Sequence, residues 1–303
     1  MRNPYPKKII FKTADIDYSN SAYWIRVDEL ERIYQVARAR VEIKERNFIQ
    51  ANLSNIRRIT LFLNNRIVSP GTVTFEINGQ MIKYNYQHSC KVSFINKSGK
   101  FSIARRKKKG LYKKSGLYGP IKKAYFSPFI LIYGTSGDSS STRQNLAQAR
   151  YQSYLWWYRA NGFAEIIPDT EVTDKIIKNY NLILFGNPET NFILKWLNYR
   201  LPIHMGEKYV VVDNQKLEYE DVVFVEVYPN PLNPEHLIVV YSPISKTAEK
   251  IMGLFSPFYS GAGLPDYIVY DSSVLKYGWA GIKALGFFDQ NWKFKRNFCF
   301  ITN

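Results

Sequence analysis

Cysteine and histidine are scarce in this chain of 303 residues, with only Cys90, Cys299, His88, His204 and His236. Two thiols so far apart build no disulfide scaffold and give no sign of export; they are expected to be buried and inert. No cluster of His, Cys and carboxylates has the spacing of a metal site. Neither G-x-G-x-x-G nor a P-loop occurs, which removes two familiar phosphate-cradling loops. The nucleophile elbow G-x-S-x-G is missing too. The expectation is therefore a chain without metal or cofactor and without catalysis. No apolar run approaches the about 18 residues of a membrane helix. The start, MRNPYPKKIIFKTADIDYS, has basic residues but no apolar core, so it predicts no secretory signal and a cytoplasmic setting.

Acidic residues are missing from one stretch. Lys97 to Lys123 holds 11 Lys and Arg and no Asp or Glu, in a chain whose net charge is +17. Gly99, Gly110, Gly116, Gly119 and Pro120 interrupt it, the mark of a connector. Its charge reads either as solvation or as a polyanion site built on Arg105, Arg106, Lys107, Lys108, Lys109, Lys113 and Lys114, with Tyr112 and Tyr118 beside them for stacking on bases.

What is present begins with β patterning. Hydrophobic residues make up 46% of the chain, enough for real cores. Residues 1–96 carry about seven short strands at the spacing of a small β-sandwich. Ala37–Lys44 alternates apolar and charged, and Asn78-Gly79 between two alternating runs predicts a hairpin. A competing helix over DELERIYQVARAR also fits, because Leu30, Ile33, Tyr34 and Ala37 have helical spacing. Residues 97–125 are the connector. Residues 126–303 alternate short apolar strands with helices, which predicts an α/β domain with a mostly parallel, flavodoxin-like sheet. The fold class is thus α+β in two domains.

Phe129 to Tyr158 opens that second domain as strand, polar loop and helix. Its helix is expected to bury Ala147, Tyr151, Tyr154, Leu155 and Tyr158, and Trp156, Trp157 and Trp196 are expected to pack helices onto the sheet. Trp279 and Trp292 lie in a Gly-rich tail expected to cover a sheet edge or dock on the β-domain. Open parallel sheets bind ligands beyond the carboxyl ends of their strands. The loops expected there supply Thr135, Ser136, Asp138, Glu171, Asn187, Glu189, Thr190, Asn191 and Ser242 as candidate ligand-binding residues, which equally serve to cap helices and hold turns. Asp138, Glu171 and Glu189 are the carboxylates available for acid/base work. A Ser136–His236–Asp138 triad finds no support in sequence order.

Several stretches together resemble a family. LYGPIKKAYFSPFILIYGTSG, PDTEVTD, NLILFGNPETN, VYPNPLNP and GFFDQNW are similar to the C-terminal region of prokaryotic prolyl-oligopeptidase-type, esterase-like proteins. The earlier stretches YPKKIIFKTADIDYSNSAYWIRVDELE and RRITLFLNNRIVSPGTVTFEING resemble the β-rich segment that follows the hydrolase domain there. The resemblance runs from about residue 6 to residue 292. It implies a β-rich domain and a flavodoxin-like domain, without the hydrolase domain that carries catalysis. The function it implies is that of an accessory protein working by protein–protein contact, with a separate hydrolase subunit or a second copy of itself as partner. The alternatives are a small-ligand protein using the sheet-edge loops and a nucleic-acid binder using residues 97–123.

Overall fold

The computed structural model describes residues 3–104, 110–206, 208–218, 220–259, 261 and 263–301. The fold is mixed α and β with several sheets, in two compact units, Met1–Ser115 and Gly116–Asn303. The division falls inside the stretch read as a connector, at neither residue 96 nor residue 125.

The first unit holds β1 (Lys8–Thr13), β2 (Ser21–Ala22), β3 (Ile25–Leu30), β4 (Ala37–Glu45), β5 (Phe48–Ser54), β6 (Ile56–Leu63), β7 (Gly71–Ile77), β8 (Gln80–Tyr86), β9 (Cys90–Lys97) and β10 (Lys100–Ile103). They form two five-stranded sheets, in the orders β1-β4-β5-β7-β8 and β10-β9-β6-β3-β2. Phe75 of one sheet meets Phe94 of the other edge-on at 4.8 Å, so the two inner faces share a core. Alternation sets the faces: Ala37, Ala39 and Val41 of β4 are buried while Arg38 and Arg40 are exposed. Asn78 and Gly79 take φ of 48° and 82°, the left-handed pair that a two-residue hairpin needs. The competing helix does not form; β3 ends at Leu30 and Tyr34 sits at φ 57° before β4 begins. The basic run is not wholly a linker, because Lys100–Ile103 pairs with β9. Cys90 and Cys299 are half-buried rather than buried.

The second unit holds β11 (Phe129–Tyr133), α1 (Ser139–Ala160), β12 (Ile166–Pro168), α2 (Asp174–Asn179), β13 (Asn181–Phe185), α3 (Phe192–Leu197), β14 (His204–Met205), β15 (Tyr209–Val212), β16 (Gln215–Glu218), β17 (Val223–Pro229), β18 (Leu237–Pro243), α4 (Lys246–Glu249), β19 (Tyr267–Tyr270), α5 (Val274–Tyr277), β20 (Ile282–Gly286) and β21 (Cys299–Ile301). Its main sheet has the order β12-β11-β13-β18-β17-β19-β20-β21. The first four strands are parallel, and every pairing from β18 onward is antiparallel. The sheet is therefore mixed, not mostly parallel. β13 and β18 are buried along their whole length, which is why they read as unbroken apolar runs. The Gly-rich tail does not merely cover an edge: it supplies the antiparallel strands β20 and β21. Gly286 is required there, since a Cβ would lie 2.4 Å from the Phe298 carbonyl. Strands β14, β15 and β16 form a separate small sheet.

Helix α1 packs on a different stripe from the expected one, and of the five residues expected inside only Leu155 is buried. Ser141, Asn145, Ala149, Gln152 and Leu155 are its buried stripe. Ala147, Tyr151, Tyr154, Trp157 and Tyr158 are exposed. The polar members of the stripe tolerate burial because they have partners: Asn145 donates to the Gly134 carbonyl at 3.2 Å, and Gln152 accepts from the Tyr125 hydroxyl at 2.9 Å. Ser141 and Ala149 are small enough for close approach. Trp156 alone of its aromatic run turns inward, against Phe129 at 5.1 Å and Phe258 at 5.4 Å. Trp196 is exposed. No helix among the described residues is long and apolar enough to cross a membrane.

Candidate functional site

The loops after β11, β12 and β13 meet at the carboxyl ends of the parallel strands, where the strand order reverses between β11 and β13. This is where a ligand crevice would open. Instead, one buried carboxylate ties the loops together. Asp169, only 1% exposed, accepts from the Thr135 N–H at 3.1 Å, the Thr135 hydroxyl at 2.6 Å and the Phe192 N–H at 2.6 Å. Ser136 donates its N–H to the Thr190 carbonyl at 3.1 Å. There is no room at Gly134, where a Cβ would lie 2.2 Å from that same carbonyl.

The remaining candidates divide by what they touch. Asn191 caps α3, its Oδ1 accepting from Ile193 and Leu194 N–H while its amide donates to the Phe185 carbonyl. Asn187 accepts from Glu189 and Thr190 N–H and donates to the Pro243 carbonyl on β18. Thr190 takes the Asn187 N–H at 2.9 Å. Thr135, Asn187, Thr190 and Asn191 are thus internal braces. Ser136, Glu171 and Glu189 face solvent. Ser242 is buried, and its hydroxyl has no partner among the described residues.

Asp138 caps α1 by accepting the Ser141 N–H at 2.8 Å and pairs with the Lys246 ammonium at 2.7 Å. These contacts, the lysine first, lower its pKa to about 2. A carboxylate held ionised in this way is a poor general base at neutral pH. The Ser141 hydroxyl donates to Glu249 at 2.6 Å and also meets the Lys246 ammonium. A serine beside a lysine resembles an activated nucleophile, but Ser141 is 1% exposed and its lysine is held by Asp138. The network fastens the start of α1 to α4.

The triad reading is overturned by topology. Ser136 follows the carboxyl end of β11, whereas His236 precedes the amino end of β18. These strands run in the same direction within one sheet, so the two residues lie at opposite edges. His204 lies half-buried against Tyr199, with ring centroids 5.5 Å apart; burial pushes its pKa down. His88 is exposed in the first unit. Among the described residues no group of three or more His, Cys, Asp or Glu is placed to hold a metal.

One carboxyl escaped sequence reading. Glu226 is fully buried on β17, where Oε2 accepts the Ile203 N–H at 3.3 Å and Oε1 has no partner among the described residues. Burial raises its pKa well above the ordinary value, which favours the neutral acid. A lone Glu within the apolar run Val223–Tyr228 was the available signal.

The outward face of α1 is the most distinctive surface of the second unit. Tyr154 stacks on Tyr158 at 6.2 Å and lies 6.0 Å from Trp157. Arg159 covers Tyr158 at 5.3 Å and Tyr259 at 4.6 Å. Phe163, just past the helix end, is 88% exposed. Arg150, Tyr154, Trp157, Asn161 and Phe163 line a groove of about 520 Å³. A further groove, of about 790 Å³, lies between β15, β16 and Ser245 and is lined by Lys208, Lys216, Glu218 and Glu220.

Of the polyanion candidates, Arg105, Arg106, Lys107, Lys108 and Lys109 lie outside the described residues. Lys113 is fully buried, its ammonium 5.2 Å from the Tyr34 ring, so it is not presented to a polyanion. Lys114 is half-buried, 5.9 Å from the Tyr112 ring. No known family model and no curated protein matches the chain.

Proposed function

We propose that the chain is a non-catalytic interaction protein whose second unit binds a protein partner on the outward face of α1. The observation that carries this reading is the packing of α1, which buries a polar stripe and displays Tyr154, Trp157, Tyr158 and Phe163. An aromatic surface in water costs free energy unless something covers it. Trp, Tyr and Arg are the residue types that dominate binding energy at protein interfaces. Helix α1 carries Arg143, Arg150 and Arg159 and no acidic residue, so its face complements an acidic partner.

The resemblance noted in the sequence gives the class of partner: a separately encoded prolyl-oligopeptidase-type or esterase-like hydrolase subunit, in the cytoplasm. The order β12-β11-β13-β18 in the parallel half supports a flavodoxin-like ancestry for this unit, to which an antiparallel half has been added. The small-ligand alternative has less behind it, because Asp169 closes the loop edge it requires.

The test is affinity capture from the native cell with the tagged full chain and with a Tyr154→Ala/Trp157→Ala variant, at low and high salt, read by mass spectrometry. A hydrolase captured in stoichiometric amount by the wild type at high salt, and lost by the variant, is the expected result. Equal capture by both chains would refute the assignment to α1. A dimer of the chain itself that the variant abolishes would make this face a self-association surface instead.

A further inference from the structure

The net charge is divided very unequally between the two units. Residues 1–115 contain 24 Lys and Arg against 8 Asp and Glu, whereas residues 116–303 contain 18 against 17. Almost the whole excess therefore belongs to the β unit. Part of it is arranged on the outer face of the sheet that begins with β1.

On that face, Lys12 of β1 stands directly opposite Arg38 of β4, and Ile10 stands opposite Arg40. The next strand places Ser54 beside Arg38 and Asn52 beside Arg40. All six side chains are exposed, Ile10 to 66%. They line a groove of about 610 Å³. Like charges directly opposite one another destabilise a sheet. The fold offsets little of this cost: among the described residues, Lys12, Arg38 and Arg40 form no ion pair, though Glu42 attracts Arg40 at longer range. The nearest carboxylate along β4, Glu42, is held by Lys44 at 3.1 Å. A cost of this kind that the fold relieves only in part points to a ligand that relieves the rest.

We infer that this face binds the phosphate backbone of a nucleic-acid strand. Arg38 and Arg40 follow each other at a two-residue strand repeat, about 6.8 Å, and each guanidinium can grip a phosphate with two parallel hydrogen bonds. The Asn52 amide and the Ser54 hydroxyl add neutral donors of the kind that position a backbone. Ile10 offers an apolar contact between them. An extended acidic peptide fits less well. Such peptides add to a sheet edge through backbone hydrogen bonds, whereas these cations stand on the face of β1 and β4 and not along the free edge of β1.

The test is fluorescence polarisation with the full chain and labelled single-stranded DNA and RNA oligonucleotides across a salt series. Each phosphate contact on a single strand contributes about −0.7 to the slope of log K against log salt. A Lys12→Gln/Arg38→Gln/Arg40→Gln variant is expected to bind at least about tenfold more weakly at low salt, with a slope shallower by about 2. It should also melt at or above the wild-type temperature, because a like-charge pair is gone. Were the triple variant to melt lower, the single Arg40→Gln variant would decide, with an expected slope change of about 0.7. The inference is overturned by a wild type that binds no oligonucleotide. It is equally overturned by poly-glutamate competing as well as the oligonucleotide. It also fails if groove variants leave affinity and slope unchanged while replacement of Arg105–Lys109 by glutamine abolishes binding.

Discussion

Replacing Asp169 with alanine tests whether the sheet edge is closed or open. The carboxylate is 1% exposed and takes three hydrogen bonds, from two backbone N–H groups and one hydroxyl. A hydrogen bond to a charged group contributes about 1.5–3 kcal/mol, and a buried donor left unpaired costs about as much. The three bonds share one acceptor, so they are lost together and do not simply add. The expected cost of Asp169→Ala is about 3–5 kcal/mol, in the range reached when a buried network is broken. For a unit of this size each kcal/mol moves Tm by about 2–4 °C, which gives a fall of about 10 °C. Asp169→Asn keeps the shape but turns one acceptor into a donor, and should cost about 1–2 kcal/mol. Urea denaturation, with m compared between variants, measures both, and amide exchange at Phe192 reports the local opening. If Asp169→Ala lay within about 0.5 kcal/mol of wild type, the loops would not be held by this carboxylate, and a ligand crevice would again be open to them.

Asp138 makes a second prediction through pH. Its folded pKa of about 2 lies below the ordinary 3.8, so its contribution is present above about pH 4 and is lost as pH falls towards 2; Asp138→Asn should flatten that limb of the urea-stability profile. Glu226 has the opposite sign: its folded pKa lies well above 4.5, so its burial penalty grows as pH rises past that value, and Glu226→Gln should gain stability over wild type progressively above it. Along α1, Leu155→Ala should cost about 2–4 kcal/mol as a buried truncation, while Trp157→Ala should stay within about 0.5 kcal/mol as an exposed one, both read by urea denaturation of the isolated chain.

The parts of the fold legible in the sequence are those that local chemistry decides. The strands of the β unit follow from alternation, and its hairpin from Asn78-Gly79. The end of α1 follows from Asn161, which takes φ 51°, and the start of α2 from Thr173, whose hydroxyl accepts the Ile176 N–H at 3.4 Å. The failures lie where partners distant in sequence decide. The burial of Asn145 and Gln152 carries no local mark, because their partners, Gly134 and the Tyr125 hydroxyl, belong to other elements. β20 was hidden by Lys283, whose charge is answered at 2.8 Å by Asp271, just past the end of the neighbouring strand β19. Lys100–Ile103 was hidden by the basic residues around it. Of the candidate site, the loops after β11, β12 and β13 lie at the carboxyl ends of those strands, whereas Ser242 lies within β18. The closure of those loops depends on Asp169, which sits beside the more conspicuous Glu171 in PDTE and has no sequence mark of its own.

The two units divide their surface chemistry as sharply as their folds. The β unit holds nearly all the net charge and displays paired cations across neighbouring strands, while the α/β unit is close to neutral and displays aromatics on a helix. Each arrangement is unfavourable alone, one through repulsion and the other through exposed apolar surface. Each would be relieved by a different kind of partner. Salt separates them: contacts to phosphate weaken steeply as salt rises, whereas burial of aromatic surface is not screened and is strengthened by excluded salts such as sulfate. A chain that holds its protein partner at a salt concentration where nucleic acid has washed away, and that loses each ligand to substitutions in only one unit, would show that the two surfaces act independently. Loss of both ligands to a single set of substitutions would refute that division.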